Sequence, residues 1–582
     1  MKDNDYKFRR TGDLSRIKLL EYIPSMILTN LSTLLLISVD GLVVGNLNGK
    51  ESLSSVNVFY PAIVLIGVVS ILLSSGIATT LSTCFGSQNK EKLDSAKKVS
   101  FWMTYISAFL MSIVQLPIVY AMVRLYHLSP ELEELTWKYA RGIMFATPLG
   151  LISCVGTYEF QIAGKIKYLM YLSISEGCVN LIFDLIFVGP CNMGVAGAGY
   201  GTLVANIVRC SLTIILLAKK TSLYHFRGAK FDKSIVKEIF VLGLPDGARS
   251  AMQALQKYFL IGFLVYLFGS DGGVIQGVCT FIFSCSNVIT SGIKSAVRPM
   301  AGLYCGAQDR KGISILMKQG FILIIASTLI FTFIVEFFPS IFYFLHGVTE
   351  IPNGGILSVR LYVTFFMLGG INDLFLLYLT NRKDTKFATI LTFVGNASMI
   401  LFAFVLMKTL PAPFIWLSYF VTECVLFIPS LVRYLCWKRK DENFLKENTE
   451  DIYLSLSVDS SNAIEVSRKI RNFAKENGIS DRISYRVALC MEEMVVYTKS
   501  IKKTKKVFVQ ISIVFKGKNE AIFVIMDNGV RTDLDKHSEN RSPTVDNYEI
   551  MRRIATDVKY QYILNMNYAI LRFCDKSKVI SE

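Results

Sequence analysis

The stretch SVDGLVVGNLNGKESLSS, residues 38–55, places an aspartate, Asp40, inside an otherwise apolar segment. A carboxylate in the hydrocarbon part of a membrane is costly, and residues of this kind usually mark an ion or substrate pathway. The stretch therefore predicts a functional acid near the outer end of a membrane-spanning helix.

The bulk composition places the whole chain in a membrane. It has 582 residues, 52% of them hydrophobic, and a mean hydropathy of +0.44, which argues against a large soluble enzyme. We predict twelve spans, each long enough to cross about 30 Å of hydrocarbon, the first a retained helix and not a signal peptide. They are predicted at residues 22–45, 53–83, 98–125, 135–163, 166–190, 193–218, 236–268, 272–304, 315–345, 355–380, 384–408 and 411–438.

The distribution of basic residues predicts the orientation. Lysine and arginine are concentrated at the N-terminus and in alternate loops, whereas opposite loops such as VGPCNMG and LHGVTEIPNGG are almost free of them. The positive-inside rule then places both termini in the cytoplasm, in a multi-pass protein of the cell membrane. Because much of the net charge of +17 has this topological use, no nucleic-acid partner is expected.

An internal repeat predicts two halves. LSTCFGSQNKEKL (81–93) returns as AGLYCGAQDRKGI (301–313), and EYIPS (21–25) returns as LGLPD (242–246), at an offset of about 220 residues. QIAGKIKY (161–168) is echoed by YLTNRKDTKF (378–387). We predict an all-α polytopic protein with two six-helix lobes in a parallel repeat, at residues 1–220 and 221–440, a linker at 441–450 and a tail at 451–582.

Polar residues of the first half fall at one membrane depth. Asp40 in span 1, Asn180 and Asp184 one turn apart in span 5, and Thr202 in span 6 all lie in its outer part. Such an all-oxygen group suits a hard cation such as Na⁺, and a pair of carboxyls also suits a shared proton. Helix capping or interhelical hydrogen bonding is the structural alternative, and the residues do not distinguish H⁺ from Na⁺.

Four blocks resemble the multidrug and toxic compound extrusion (MATE) transporters: VDGLVVGNLNGKESLSSVNVFYP (39–61), ATTLSTCFGSQNKEKLDSA (78–96), NLIFDLIFVGPCNMGVAGAGYGT (180–202) and LGLPDGARSAMQ (242–253). The resemblance covers roughly residues 15–440. It implies export of small amphiphilic molecules or drugs by alternating access, in antiport with H⁺ or Na⁺, without a cofactor or an enzymatic reaction. It also implies an N-lobe cation site at Asp40, Asn180, Asp184 and Thr202. A lipid-linked oligosaccharide flippase of the same superfamily and a membrane sensor that signals through the tail are the alternatives.

The second half carries charged residues within its spans. Lys257 lies near the middle of span 7, and Glu423 lies within span 12. Arg298 and Asp373 lie at similar depths in spans 8 and 10, so they are expected to pair. An unpaired Lys257 in the cavity argues against a lipophilic-cation substrate and leaves an anionic or zwitterionic one open. A purely structural role is the alternative for all four residues.

The tail has a different periodicity. Alternating residues predict strands at YLSLSV, KVFVQISIVF and EAIFVIMDNG, amphipathic helices at NAIEVSRKIRNFAKENGI, DRISYRVALCMEEMVVYTKSI and VDNYEIMRRIATDVK, and a final strand pair at YQYILNMNYAILRF. Together they predict a cytoplasmic α/β sandwich of about 130 residues.

The tail resembles the histidine-kinase-like ATPase (GHKL) domain of the anti-sigma-factor-kinase type, through ALCMEEMVVY and VIMDNGV. The resemblance implies nucleotide-binding roles for Glu493, Asp527 and Gly529, although Asp-Asn-Gly is also a common turn. Tyr497 stands where the family has a magnesium-binding asparagine, and Arg531 replaces a glycine. We therefore expect neither ATPase nor kinase activity, and a regulatory or protein-binding role instead.

Overall fold

The computed structural model describes residues 12–125, 129–220, 228–269, 271–345, 348, 350–447, 451–459, 463–501, 508–516, 518–529 and 553–574. Sixteen α-helices and five strands lie in these ranges. The helices are α1 (Asp13–Asn48), α2 (Lys50–Ser87), α3 (Lys90–Leu125), α4 (Pro130–Ile162), α5 (Ile166–Val188), α6 (Val195–Lys220), α7 (Lys233–Phe268), α8 (Asp271–Gly306), α9 (Arg310–Phe337), α10 (Pro339–Leu345), α11 (Gly355–Val363), α12 (Phe366–Asn381), α13 (Thr385–Thr409), α14 (Leu417–Glu447), α15 (Ala463–Glu476) and α16 (Asp481–Ile501). The strands are β1 (Asp451–Asp459), β2 (Phe508–Lys516), β3 (Glu520–Asp527), β4 (Asp557–Ile563) and β5 (Met566–Cys574).

Eleven helical segments among the described residues are long and apolar enough to cross a membrane. They match the second to twelfth predicted spans, from Ala62–Ser87 to Ala412–Asn443. The first predicted span lies in α1, which is 36 residues long and includes residues whose side chains lie outside the description. The polytopic helical fold is thus confirmed, and the count of twelve stays a prediction.

The chain divides into two compact units. One contains residues Glu21–Ala307 and Met317–Tyr434, and the other contains Met1–Leu20, Gln308–Leu316 and Leu435–Glu582. The predicted domain boundaries at 220 and 440 stay predictions. The predicted linker at 441–450 is helical as far as Glu447, the last residue of α14.

The repeated sequences form repeated turns. Gln88 after α2 and Gln308 after α8 both adopt left-handed backbone angles, with φ of 49° and 55°. The residue that follows each of them caps the next helix, since Asn89 accepts from Lys92 N at 3.0 Å and Asp309 accepts from Gly312 N at 2.9 Å. The same short sequence therefore encodes the same helix–turn–helix geometry twice.

Helices α2 and α8 cross at a reciprocal glycine contact. A Cβ atom on Gly86 would lie 2.2 Å from the carbonyl oxygen of Leu303, and one on Gly306 would lie 2.1 Å from that of Thr83. Small residues let helices approach this closely in membranes, where packing drives association. Thr83 and Leu303 occupy the same position in the two copies of the repeat, three residues before the glycine. Each glycine therefore contacts the equivalent residue of the other copy.

The C-terminal unit contains a five-stranded antiparallel sheet in the order β1-β2-β3-β5-β4. Helices α15 and α16 pack with it around one apolar core, to which Ile470, Val487, Phe515, Phe523 and Phe573 contribute fully buried side chains. The predicted strands and the first two predicted tail helices are thereby confirmed. The third predicted helix, residues 545–559, lies outside the described residues as far as 552, and its last residues belong to β4 instead.

Candidate functional site

Three helices of the larger unit bring the predicted polar residues of the first half together. Asp40 comes from α1, Asn180 and Asp184 from α5, and Thr202 from α6. All four are buried, with at most 8% of each side chain exposed. We call these residues together with Tyr139, which joins them below, the N-lobe cluster.

Asn180 and Thr202 connect the two acids by hydrogen bonds. The Asn180 amide donates to Asp40 Oδ1 at 3.3 Å, to Asp184 Oδ1 at 3.4 Å and to Thr202 Oγ1 at 3.1 Å. Thr202 Oγ1 in turn donates to Asp40 Oδ2 at 3.0 Å. The shared depth predicted from the sequence thus corresponds to direct contact.

Tyr139 of α4 completes the cluster and was not predicted. Its hydroxyl donates to Asp40 Oδ2 at 2.8 Å, and its ring packs edge-on against Phe59 with centroids 5.7 Å apart. A tyrosine among apolar residues of a predicted span has no motif around it, so only the tertiary contact between α1 and α4 reveals its role.

Part of the acceptor capacity of the cluster is unused. Two side-chain oxygens, Asp184 Oδ2 and Asn180 Oδ1, are buried without a hydrogen-bond partner among the described residues. No ion pair joins Asp40 or Asp184 to a lysine, arginine or histidine of the described residues. Two buried carboxyls without a counter-charge need a proton or a cation to be stable.

Gly201 lets α6 approach Asp184. A Cβ atom at this position would lie 1.9 Å from Asp184 Oδ1, so only glycine fits. The close approach shields the carboxyl from the surroundings and brings Thr202, the next residue, into the cluster.

The donor set fits a monovalent cation better than a transition metal. Its free atoms are oxygens, which suit hard cations such as Na⁺. No group of three or more His, Cys, Asp or Glu side chains that could hold a metal ion occurs among the described residues. The cluster could thus hold one Na⁺, with Asp40, Asn180, Asp184 and Thr202 as ligands, or one proton on a carboxyl.

A second polar site lies among α7, α8, α12 and α14, and its ion pairs differ from the predicted one. Arg298 pairs with Asp246 at 2.8 Å, and Asp373 pairs with Arg249 at 3.2 Å and with Lys294 at 3.5 Å. The predicted pair of Arg298 with Asp373 was therefore wrong, because Asp246 is the acid that α7 places against Arg298. Arg249 and Lys294 were missed, although Arg249 lies within the block LGLPDGARSAMQ (242–253) and three residues after Asp246.

Glu423 is tied into the same network. It accepts from the amide of Asn372 at 2.6 Å and lies 3.5 Å from Arg249. Lys294 also donates to Asp246 at 2.9 Å, which links the two halves of the network. We call the six charged residues the C-lobe ion-pair network; they are Asp246, Arg249, Lys294, Arg298, Asp373 and Glu423.

A cavity of about 60 Å³ lies beside this network, and Lys257 lines it together with Arg249, Asp373 and Glu423. The Lys257 ammonium lies 5.8 Å from the centroid of the Phe283 ring. Within the described residues it forms neither a hydrogen bond nor an ion pair with an acid.

In the tail, the predicted nucleotide-binding acid has a local structural role. Asp527 is 1% exposed, and its Oδ1 accepts from Gly529 N at 2.7 Å and from the Asn567 amide at 2.8 Å. These bonds tie the end of β3 to β5, as expected of an Asp-Asn-Gly turn. Glu493 is partly buried on α16, whereas the Tyr497 side chain and Arg531 lie outside the described residues. The GHKL resemblance stays a prediction.

The tail contacts two other segments of its own compact unit. Lys18 of α1, only 4% exposed, donates to the Asn565 carbonyl in the β4–β5 turn at 3.0 Å. Gln510 of β2 donates to Asp309, before α9, at 3.5 Å. Burial raises the pKa of the nearby Tyr568 hydroxyl, and the negative charge of Asp309 adds to this effect. These contacts attach the sheet to the start of α1 and of α9.

Comparisons with known proteins agree with this architecture. The family model MatE matches residues 25–186. The multidrug export protein MepA of Staphylococcus aureus (strain MSSA476) is 20% identical over 369 residues, covering 62% of this chain and 81% of that protein. MepA of Staphylococcus haemolyticus (strain JCSC1435) is 20% identical over 259 residues, which cover 44% of this chain and only 57% of that relative.

Solved structures of transporters share the fold of the chain. One is a multidrug resistance MATE family transporter of the MOP superfamily in an outward-facing conformation, with 20% identity and a TM-score of 0.68 over 76% of this chain and 100% of that one. Another is a MOP superfamily transporter from Pyrococcus furiosus, described as having a binding pocket of reversed polarity that suggests a different function. It is 20% identical, with a TM-score of 0.67 over 73% of this chain and 95% of that one. The membrane part of this chain is thus similar to the MatE family model and to the MepA relatives, and it shares the fold of the solved MATE transporters.

Proposed function

We propose that the protein is a secondary active exporter that moves small amphiphilic molecules out of the cell in exchange for H⁺ or Na⁺. The N-lobe cluster is the observation that supports this most strongly, because it contains two buried carboxyls without a described counter-charge, and unused acceptor oxygens on Asp184 and Asn180. The similarity to proteins named multidrug export protein supports the substrate class.

The cluster can couple an ion to a conformational change. Binding a proton or Na⁺ removes the cost of the unpaired negative charge, so it stabilises the helix arrangement in which α1, α5 and α6 meet. Losing the ion removes that stabilisation and favours another arrangement. An ion that binds two states with different affinity shifts their equilibrium by the free energy of that difference.

Flux measurements on proteoliposomes test the proposal. We expect purified protein to drive efflux of an amphiphilic dye only under an imposed H⁺ or Na⁺ gradient, and Asp40→Asn to reduce this flux to the level of protein-free liposomes. The variant keeps the shape of the side chain but removes the charge that the ion neutralises.

Asp271→Asn is the matched control, because Asp271 is an exposed acid in the first turn of α8. It should leave the flux unchanged. Gradient-driven flux that persists in Asp40→Asn would contradict the assigned coupling site. The absence of dye flux, together with ligand-dependent changes in the tail, would favour a sensor.

We infer that the tail regulates transport through α1. This helix carries Lys18 near its start and Asp40 near its end, so a restraint on Lys18 acts on the element that supplies the coupling acid. The localisation of the tail in the cytoplasm, and a cytoplasmic partner for it, are parts of the same proposal.

Lys18→Met should loosen the tail. Losing one buried hydrogen bond of a charged group is expected to raise the rate of amide hydrogen exchange in β4 and β5 of the intact protein about ten-fold, equivalent to about 1.5 kcal/mol. The exchange is measured by mass spectrometry and compared with Lys475→Met, which removes an exposed lysine of α15. A changed transport rate in Lys18→Met alone would support regulation, whereas unchanged exchange and unchanged transport would contradict it.

A further inference from the structure

Lys257 and the C-lobe ion-pair network together carry an excess positive charge. The network contains three acids and three basic residues, which balance one another; they are Asp246, Asp373 and Glu423 against Arg249, Lys294 and Arg298. Lys257 lines the same cavity and has no acidic partner among the described residues. The lining alone carries two basic side chains, Arg249 and Lys257, and two acids, Asp373 and Glu423, so only the lining and the network taken together sum to one positive charge.

We propose that this cavity binds the anionic head group of an aromatic amphiphile, a carboxylate or a sulfonate, and that Lys257 is the residue that recognises it. The inference rests on the proposed export function and names the substrate class for it. A partly buried ammonium without a counter-ion is unfavourable, and a bound anion supplies the missing negative charge.

The acids of the cavity already lie against basic side chains of the network. Glu423 already accepts from Asn372 and lies against Arg249, and Asp373 lies between Arg249 and Lys294. A lipophilic cation would have to displace a guanidinium or an ammonium from these carboxylates. An anion needs no such exchange, because Lys257 forms no ion pair with any acid of the described residues.

The wall of the cavity suits a flat apolar body. Phe365 stacks against Phe283 with ring centroids 6.1 Å apart and an interplanar angle of 24°, and against Tyr419 at 5.1 Å and 22°. Tyr362 and Phe366 also line the cavity. Aromatic faces of this kind pack favourably on aromatic ligands through offset or edge contacts.

The volume of the cavity fits a head group. About 60 Å³ is several times the roughly 10–15 Å³ that one buried water needs, so a carboxylate or a sulfonate fits the cavity. The amide side chains of Gln253 and Asn287, which also line the cavity, can donate to the oxygens of such a group.

Two dyes with one ring system and opposite charge test the proposal: fluorescein, which is anionic at pH 8, and rhodamine 6G, which is cationic. Binding to the purified full-length protein is measured by fluorescence anisotropy, independently of any ion gradient. We expect the protein to prefer fluorescein, and Lys257→Met to weaken fluorescein binding about ten-fold or more with little effect on rhodamine 6G. Lys257→Arg should retain most of the affinity.

Lys408→Met is the matched control, because the Lys408 ammonium also lies 5.8 Å from an aromatic centroid, that of Tyr266, but on an exposed side chain outside the cavity. It should bind both dyes like the unmodified protein. Tighter binding of rhodamine 6G, or fluorescein binding that is the same in Lys257→Met, would overturn the assignment.

Transport assays separate this proposal from the export function. Lys257-dependent fluorescein binding without gradient-driven flux would uphold the anionic site and contradict the exporter. Gradient-driven flux of rhodamine 6G that depends on Asp40 but not on Lys257 would uphold the exporter and contradict the anionic site.

Discussion

Replacing Asp184 by asparagine is expected to abolish ion-driven flux, and adding Asp40→Asn is expected to change nothing further. Asp184 is fully buried and presents Oδ2 without a partner, whereas Oδ1 only accepts from Asn180. The free oxygen is the best-placed ligand for a proton or Na⁺, and an amide cannot carry the charge that the ion neutralises. Flux in proteoliposomes under H⁺ and Na⁺ gradients measures the effect.

The comparison of single and double variants shows whether the two acids act as one site. Residues that hold one ion together lose the whole function when either is removed, so their effects do not add. Suppose instead that each single variant retained part of the flux, and that the double variant retained a fraction equal to the product of the two single fractions. The acids would then act separately. That result would contradict a common N-lobe site.

Asp184→Glu offers a more conservative test of the geometry. The variant keeps the charge but adds a methylene group, and the backbone of α6 at Gly201 leaves no room beside the carboxyl. We expect flux well below that of the unmodified protein, with ion dependence that shifts to higher concentrations. Full activity in Asp184→Glu would show that the close approach of α6 has no part in the site.

The N-lobe cluster was largely predictable from the sequence, because membrane thickness converts position along a helix into depth. Asp40, Asn180, Asp184 and Thr202 had to lie near one depth once the spans were assigned, and the structure brings them into contact. Tyr139 was not predictable, since depth alone does not tell which face of α4 meets α1. Gly201 became interpretable only when its distance to Asp184 was known.

The C-lobe ion-pair network shows where this reasoning fails. Arg298 and Asp373 were predicted to pair from their depth, yet each has other partners. The depth of a residue limits which oppositely charged residues can reach it. The partner that it pairs with also depends on the rotation of each helix and on which helices are neighbours, and a single sequence does not give either. The tail differs, because alternating residues predicted its strands directly, whereas the strand order β1-β2-β3-β5-β4 required the structure.

The same network leads to the largest expected loss of stability. Asp246 is 7% exposed and is the only acid within 4 Å of Arg298 among the described residues, and it also pairs with Lys294. Asp246→Asn leaves two buried or nearly buried positive charges without their shared partner. Removing one partner of a buried ion pair usually costs about 3–5 kcal/mol, because the remaining charge is uncompensated.

We therefore expect Asp246→Asn to lower strongly the midpoint of thermal unfolding in detergent. Unfolding is followed by the reaction of buried cysteines, such as Cys279, with a thiol-reactive dye as they become exposed. The double variant Asp246→Asn/Arg298→Met should recover part of the loss, since it removes the orphaned guanidinium as well as the carboxylate. Lys138→Met, which breaks the exposed pair of Lys138 with Glu134 at 2.8 Å, should hardly change the midpoint, because surface pairs contribute little. Equal midpoints for the single and double variants would mean that Arg298 finds another partner when Asp246 is lost, and that the network tolerates rearrangement around the cavity.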